Sequence, residues 1–320
     1  MKKWMVVLML FFCAACQSTH EPVRKNYLYF AMNTEIILSF YDVDNPDSYA
    51  KEVEAIYLTY DAVASDYQTG GSTLSVYDLN QQREATVSDA LLELIEFAQQ
   101  MEIETDGYFN PLMGRLTHRW KEALEEKRLL SDEEVNRELE IIKQSSITIE
   151  GNTVSLTGDA NLDLGGIAKG FATEKAKQYL EQQGITSYLI SAGSSNIVLG
   201  NKAGNVFSVG LNKAFENDYY KILKLKEKDV VTSSMMYQSY EVDGIHYSHL
   251  LDPHTGKPAT YYESITLIGD DSAKLDAYST AVFAMDLETA KAFLSKHQIE
   301  WLAAQNNEIL YQSAGVSSYE

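Results

Sequence analysis

Asp163-Leu164-Gly165-Gly166-Ile167-Ala168-Lys169-Gly170 is the stretch on which the reading of this 320-residue chain turns. Two adjacent glycines stand before a helical pattern that covers residues 167–183 and stops at Gly184. Glycine lets backbone N–H groups approach a ligand closely, and a helix N-terminus favours negative charge. Asp163 and Lys169 flank the loop with opposite charge. The glycine spacing fits neither a Walker loop nor a dinucleotide fingerprint. Read alone, a tight loop in which Asp163 caps the helix accounts for the pattern as well.

On the C-terminal side of this loop the sequence predicts strands over 187–191, 206–211, 220–225 and 264–268. Helices over 274–285 and 287–297 and two short closing strands follow. On the N-terminal side, residues 27–41 alternate loosely around Ile36, Ile37 and Leu38 and predict a pair of strands. Val53, Ile56, Tyr57, Tyr60 and Val63 have helical spacing and predict a helix over 47–67. Ser88 suits the N-cap of a helix over 90–104. The charged stretch 118–143 is helical, with Ser131 before Asp132-Glu133-Glu134 as a start signal. Glu150-Gly151-Asn152 between two β-type runs signals a hairpin. Helices and strands intermingle without regular βαβ repetition, and no Pro/Gly/Ser-rich linker divides them. The expectation is a single α+β domain with mixed, largely antiparallel sheets and flanking helices.

Composition narrows the function. Apolar residues make up 45% and charged residues 22%, as in globular proteins. The net charge of −20 excludes a duplex nucleic-acid partner, which needs a basic surface. A nucleotide is compatible with it, because a metal ion and backbone N–H groups can hold phosphates. At the N-terminus, Lys2 and Lys3 precede an apolar run over 4–16, too short to span a bilayer but suited to a secretory h-region. Ala14-Ala15-Cys16 followed by Gln17-Ser18-Thr19 resembles a bacterial lipoprotein signal, in which Cys16 is lipidated and becomes the first mature residue. Cys13 departs from the leucine usual there, and plain secretion after a small residue is the alternative. The expected division is a signal over 1–16, a tether over 17–27 and one domain over 28–320. Both cysteines fall in the signal, so the domain has no disulfide and no thiolate metal ligands. Export would place it on the outer face of the cytoplasmic membrane or the periplasmic side.

Two further clusters could carry chemistry. His249-Leu250-Leu251-Asp252-Pro253-His254-Thr255-Gly256-Lys257-Pro258 is a turn signal with His249 at its edge. A zinc reading is weak, since no helical His pair or third ligand accompanies the two histidines. Asp276 and Thr280 stand four residues apart, so on a helix both side chains leave one face. A carboxylate with a hydroxyl suits a hard cation such as Mg²⁺. The bland alternative is a solvated Asp276 and a Thr280 bonded back to its own helix.

In order along the chain stand Met32-Asn33-Thr34, Ser72-Thr73-Leu74-Ser75 with Asn80, and Thr105-Asp106-Gly107-Tyr108-Phe109-Asn110-Pro111. The glycine loop, Val231-Thr232-Ser233-Ser234, the 249–258 turn and the Asp276/Thr280 pair follow. This series resembles the ApbE-type family of FAD:protein FMN transferases, over about residues 28–300. The resemblance implies an FAD cleft between two lobes and Mg²⁺-dependent transfer of FMN from FAD to a threonine of a partner protein, releasing AMP. By position, Met32, Tyr67, Phe109, Asn110, Pro111, Asp163, Lys169, His249 and Leu250 would contact FAD or line the cleft. The carbonyl of Gly166 and the side chains of Asp276 and Thr280 would hold the metal, with Ser279 nearby. Lys169 and Asp276 would act on the pyrophosphate. His249 is the candidate base for the acceptor hydroxyl, because an imidazole ordinarily titrates near neutrality. The implied partner is a flavin-acceptor protein, expected to be a membrane redox subunit. The chain departs from the family pattern at Asn33 and Ser234, where Gly is usual, and at Gly193-Ser194-Ser195, where Gly-Gly-Asp is common. Two rivals are an FAD pyrophosphatase and a non-catalytic FAD-binding lipoprotein. Asp276 and Thr280 speak against the second, since storage needs no metal.

Overall fold

The computed structural model describes residues 21–213, 216, 218–235 and 239–320. Cys16 and the expected signal segment lie outside the described residues. Strands β1 (Arg24–Ala31) and β2 (Thr34–Tyr41) pair with Ala31 opposite Thr34, so Met32 and Asn33 form the whole turn. Both have positive φ, 53° and 56°, as a two-residue I′ turn demands. The first strand begins at Arg24, inside the expected tether, because pairing with β2 continues as far as Tyr41.

Next come α1 (Pro46–Ala64), α2 (Val76–Gln82), β3 (Glu84–Thr86) and α3 (Asp89–Glu104). Ser88 caps α3 by accepting from the Leu91 N–H. The 118–143 stretch is two helices, α4 (Gly114–Glu125) and α5 (Asp132–Lys143), separated by Lys127 at φ 57° and restarted by a Ser131/Glu134 capping box. Then follow β4 (Ser146–Glu150), β5 (Thr153–Thr157), α6 (Ala168–Gln182), β6 (Tyr188–Ala192) and β7 (Asn196–Leu199). After them come β8 (Phe207–Asn212), β9 (Tyr219–Leu225), β10 (Lys228–Ser234), β11 (Ser239–Val242) and β12 (Ile245–Ser248). The chain ends with β13 (Leu251–Asp252), β14 (Lys257–Pro258), β15 (Ser264–Gly269), α7 (Ser272–Phe283), α8 (Leu287–Lys296), β16 (Glu300–Gln305), β17 (Glu308–Gln312) and a 3-10 turn.

The central sheet has the order β1-β2-β6-β7-β10-β15-β16-β17, and every adjacent pair is antiparallel. Helices α1, α3, α6 and α7 share a core with one sheet face that includes Tyr57, Leu91, Phe171, Ile265 and Phe283. The β8–β9 hairpin and the final turn cover part of the other face through Leu211, Leu223, Val230 and Val316. A smaller lobe gathers α4, α5 and the β11–β12 hairpin around Leu116, Trp120, Val135 and Val242. Trp120 Nε1 donates to the Gly256 carbonyl at 2.7 Å and so ties this lobe to the 249–258 turn. This is the antiparallel α+β architecture expected, with the cleft between the lobes. No described helix is long and apolar enough to cross a membrane.

Helices α6 and α7 cross at Gly170. A Cβ there would lie 2.3 Å from Asp276 Cβ and 2.6 Å from the Ser272 carbonyl oxygen. Gly170→Ala should therefore cost about 2–3 kcal/mol by overpacking, read as a lower urea midpoint. An unchanged midpoint would mean that the crossing is loose.

Candidate active site

The glycine loop is held from outside by parts that are distant in sequence. Ser75 caps α2 in a capping box with Asp78. That helix presents the buried Asn80, whose side chain donates to the Leu162 carbonyl at 2.9 Å and accepts from the Leu162 N–H at 2.7 Å. One amide thus satisfies both backbone groups of the residue before Asp163. The Asp163 N–H donates to the Pro111 carbonyl at 2.8 Å. The 105–111 loop is in turn pinned by Thr105 Oγ1, which accepts from the Phe109 N–H at 3.0 Å, and by Asn110 Oδ1, which accepts from the Leu112 N–H. Asp163 does not cap the helix: its Oδ1 accepts from the Gly165 N–H at 2.8 Å, and α6 has no side-chain cap of its own.

What caps α6 is Asp276. Its Oδ2 accepts from the Gly170 N–H at 2.7 Å, while Lys169 Nζ stands 3.8 Å from Oδ1. Asp276 is 7% exposed, so it is no solvated helix residue. Burial pushes its carboxyl above the usual carboxylate range, opposed by Lys169 and the Gly170 N–H. Thr280 Oγ1 donates to the Gly166 carbonyl at 3.1 Å, across the cleft floor rather than back along its helix. Lys169 Nζ also donates to Asn196 Oδ1 at 3.0 Å, and Asn196 Nδ2 is buried without a hydrogen-bond partner. A carboxylate, a hydroxyl and a carbonyl are a hard oxygen set. Asp276, Thr280 and Gly166 line the same cavity, and all-oxygen donors of this kind would suit Mg²⁺. The residues present therefore fit Mg²⁺. Among the described residues no group of three or more His, Cys, Asp or Glu is arranged to hold a metal.

These groups line one cavity of about 950 Å³ together with Met32, Asp61, Asp66, Tyr67, Phe109, Asn110, His249 and Leu250. Met32 is fixed by its N–H, which donates to Asp61 Oδ1 at 2.8 Å. Tyr67 is 56% exposed, with His118 at 4.7 Å between ring centroids and Lys121 Nζ 4.7 Å from its centroid. His118 Nε2 is 2.7 Å from Asp66 Oδ2. That hydrogen bond raises the imidazole pKa above its ordinary value, outweighing burial, with Asp163 adding to the rise and Lys121 opposing it. Asp163 is itself raised, by burial first and then by Asp66. In the 249–258 turn, Asp252 is taken up by the His254 N–H at 2.9 Å and the Thr255 hydroxyl at 2.9 Å, and the His254 ring packs on Tyr108.

The ApbE family model matches residues 32–303. The chain belongs to the ApbE family. An FAD:protein FMN transferase of Klebsiella pneumoniae is 26% identical over 283 residues, 86% of this chain and 87% of that one. A protein of the same name from Vibrio cholerae is 25% identical over 332 aligned positions, covering 100% of this chain and 98% of that one. Among solved structures, the ApbE protein of Thermotoga maritima superposes with a TM-score of 0.81 at 25% identity over 93% of this chain and 99% of that one. The flavin transferase ApbE of Vibrio cholerae gives 0.77 at 22% identity, over 93% and 100%.

Of the residues assigned by the ApbE resemblance, Met32, Tyr67, Phe109, Asn110, Asp163, Gly166, Lys169, His249, Leu250, Asp276 and Thr280 meet at the cavity. Two do not. Pro111 is buried and works through its carbonyl on Asp163, because the chain turns away from the cleft after Asn110. Ser279 is wholly buried, bonded to Ser233 Oγ at 2.8 Å and donating to the Asp276 carbonyl, because it leaves α7 on the sheet side. Sequence reasoning missed Asp61, Asp66, His118 and Asn196. Their partners are 27 to 52 residues away, so no local pattern marks them.

The Asp66 pairing sets a titration. His118 should titrate above 6.5 by NMR, and Asp66→Asn should bring it back to 6.5 or below. Because the folded-state value is the raised one, the pair's contribution to stability is full below pH 6.5 and is lost as pH rises through the higher folded-state value. A His118 that titrates below 6.5 in the unaltered protein would exclude the pairing.

Proposed function

We propose that this chain transfers FMN from FAD to a threonine hydroxyl of a partner protein, using Mg²⁺ held by the Gly166 carbonyl, Asp276 and Thr280. The observation that carries this reading is the convergence of those three oxygens and the Lys169 ammonium on one cavity that Met32 and Tyr67 also line. In the reaction, the threonine Oγ forms a bond to the FMN phosphorus, the P–O bond to AMP breaks, and the hydroxyl proton must leave. Lys169 lies where charge would develop on the departing phosphate. Asn196 holds that ammonium from the far side, and Asp276 is fixed against rotation by the Gly170 N–H. Bound Mg²⁺ would neutralise pyrophosphate charge as a Lewis acid. His249, on the cavity wall, is the base we assign to the threonine proton.

The location and partner belong to the same proposal. Lipid on Cys16 would tether the enzyme to the outer face of the cytoplasmic membrane or to the periplasmic side. A membrane redox subunit would then be the acceptor within its reach.

The test uses the full chain in detergent with FAD, Mg²⁺ and a flavin-acceptor protein, following AMP release and fluorescent FMN fixed to the acceptor. Asp276→Asn, which keeps an acceptor for the Gly170 N–H, should lose on the order of 10²–10³-fold in AMP release. Removing Mg²⁺ by chelation should do the same. His249→Ala should bind FAD normally yet transfer about 10²-fold more slowly. AMP with free FMN regardless of acceptor would make the enzyme a pyrophosphatase. FAD binding without AMP would sink the catalytic reading.

A further inference from the structure

Asp66 and Tyr67 stand just past the end of α1, on the wall of the cavity. The backbone on either side of them is held within the larger lobe. The Ser65 carbonyl accepts from the Tyr77 N–H at 2.8 Å, and the Gln68 carbonyl from the Ser75 hydroxyl at 3.1 Å. Their side chains turn instead to α4 of the smaller lobe. The Asp66 carboxylate accepts from His118 Nε2 at 2.7 Å, and the two side chains are 11% and 31% exposed. The His118 ring lies along the Tyr67 ring, tilted by 32°, and Lys121 brings its ammonium to the same ring. Other ties keep α4 attached: the Gly114 N–H donates to the Asn161 carbonyl at 3.0 Å, and Trp120 is bonded to Gly256. The lobe therefore does not hang on His118. What depends on His118 is the orientation of Asp66 and Tyr67.

Charge gives the pair a second consequence. Asp61, Asp66 and Asp163 line a cavity that, on the transferase reading, must admit a pyrophosphate. The charged groups facing His118 are Asp66 from the end of α1, Asp163 from the glycine loop and Lys121 from its own helix. Glu125 of α4 and Tyr240 of β11 act on the Tyr67 phenol beyond them. An imidazolium at this point offsets the Asp66 and Asp163 carboxylates, whereas a neutral ring leaves both to repel the incoming anion. The Asp66 hydrogen bond favours the charged form. We propose that Asp66 and His118 are a positioning pair for FAD: their bond holds Tyr67 at the cleft wall for an aromatic ring of the dinucleotide, and FAD binds more tightly when His118 is charged than when it is neutral. This rests on FAD occupying the cavity, as the transferase reading requires, and is independent of the base and the acceptor.

The test titrates the full chain in detergent with FAD, in chelator so that FAD stays intact, and follows flavin fluorescence from about pH 5.5 to 8.5. Affinity should fall about three- to tenfold as pH rises through the value at which NMR shows His118 to titrate. His118→Gln keeps a donor for Asp66 but has no proton to lose. Its affinity should be flat across the range, at the weaker level the unaltered chain shows at high pH. Asp66→Asn keeps the acceptor and removes the charge, so the step should move to lower pH together with the NMR titration. Above the step, His118→Ala and Tyr67→Ala should each weaken FAD binding about tenfold, and the double variant should lose no more than either. Affinity indifferent to pH in the unaltered chain would overturn the proposal. A step that persists in His118→Gln would assign it to another group, and additive losses in the double variant would end the positioning role. Should His118→Ala fail to fold, the flat profile of His118→Gln still decides. An unaltered chain that binds no FAD at any pH would overturn the transferase reading, and this inference with it.

Discussion

Everything at the cleft depends on two helices capping each other. Helix α6 begins at Ala168 without a side-chain cap, and an uncapped helix leaves N–H groups that must find partners. Asp276, in the second turn of α7, takes the Gly170 N–H. In return Glu174, in the second turn of α6, takes the Ser272 N–H at the start of α7 at 3.0 Å. The exchange brings the helix starts together and forbids any side chain at position 170. It also determines where Asp276 and Thr280 stand relative to the glycine loop. Burying the Asp276 carboxylate is costly, since desolvation disfavours its charge. The helix cap and Lys169 offset part of that cost, and a bound cation would offset more.

The same helices are held from the far side. Lys177 of α6 reaches the buried Asp229 of β10 at 2.8 Å and lies 3.5 Å from Glu174. Removing one member of such a buried pair leaves the other uncompensated, so the network acts as a rigid brace even where its net contribution to stability is small. Ser279 continues the bracing toward the cleft through Ser233 on β10. Strand, helix and loop are thus tied at three points along one line, ending at the residues assigned to chemistry.

How much of this was legible follows from the range of each interaction. Helices α1, α3 and α8, the 146–157 hairpin and the Ser131 start depend on spacing and local caps, and the sequence displays both. Strand β10 is visible only as the segment Val231-Thr232-Ser233-Ser234. It is central in the sheet and covered on both faces at Val230 and Val231, so it lacks the alternation of a half-exposed strand. The Ser75 and Asn80 motif could be read as a motif but not as a mechanism, because Asn80 acts on Leu162, 82 residues away. His118 falls in a stretch that the sequence marks only as charged and helical, and only folding shows it against Asp66 and Tyr67.

The departures from the family pattern can be judged by the same geometry. Gly193 and Ser194 both have positive φ, 61° and 59°, yet only the first is irreplaceable. A Cβ on Gly193 would meet Thr34 Oγ1 at 2.5 Å, so space as well as conformation requires glycine. Ser194 bears only the conformational cost of left-handed backbone, about 1–2 kcal/mol for a residue with a Cβ. Asn33 sits in a turn that asks for positive φ and is among the residues that tolerate it. At Asn33 and Ser194, then, glycine would supply conformational freedom rather than room, whereas Ser234 stands in strand β10 without positive φ. The backbone of the cleft can persist while its polar surface changes.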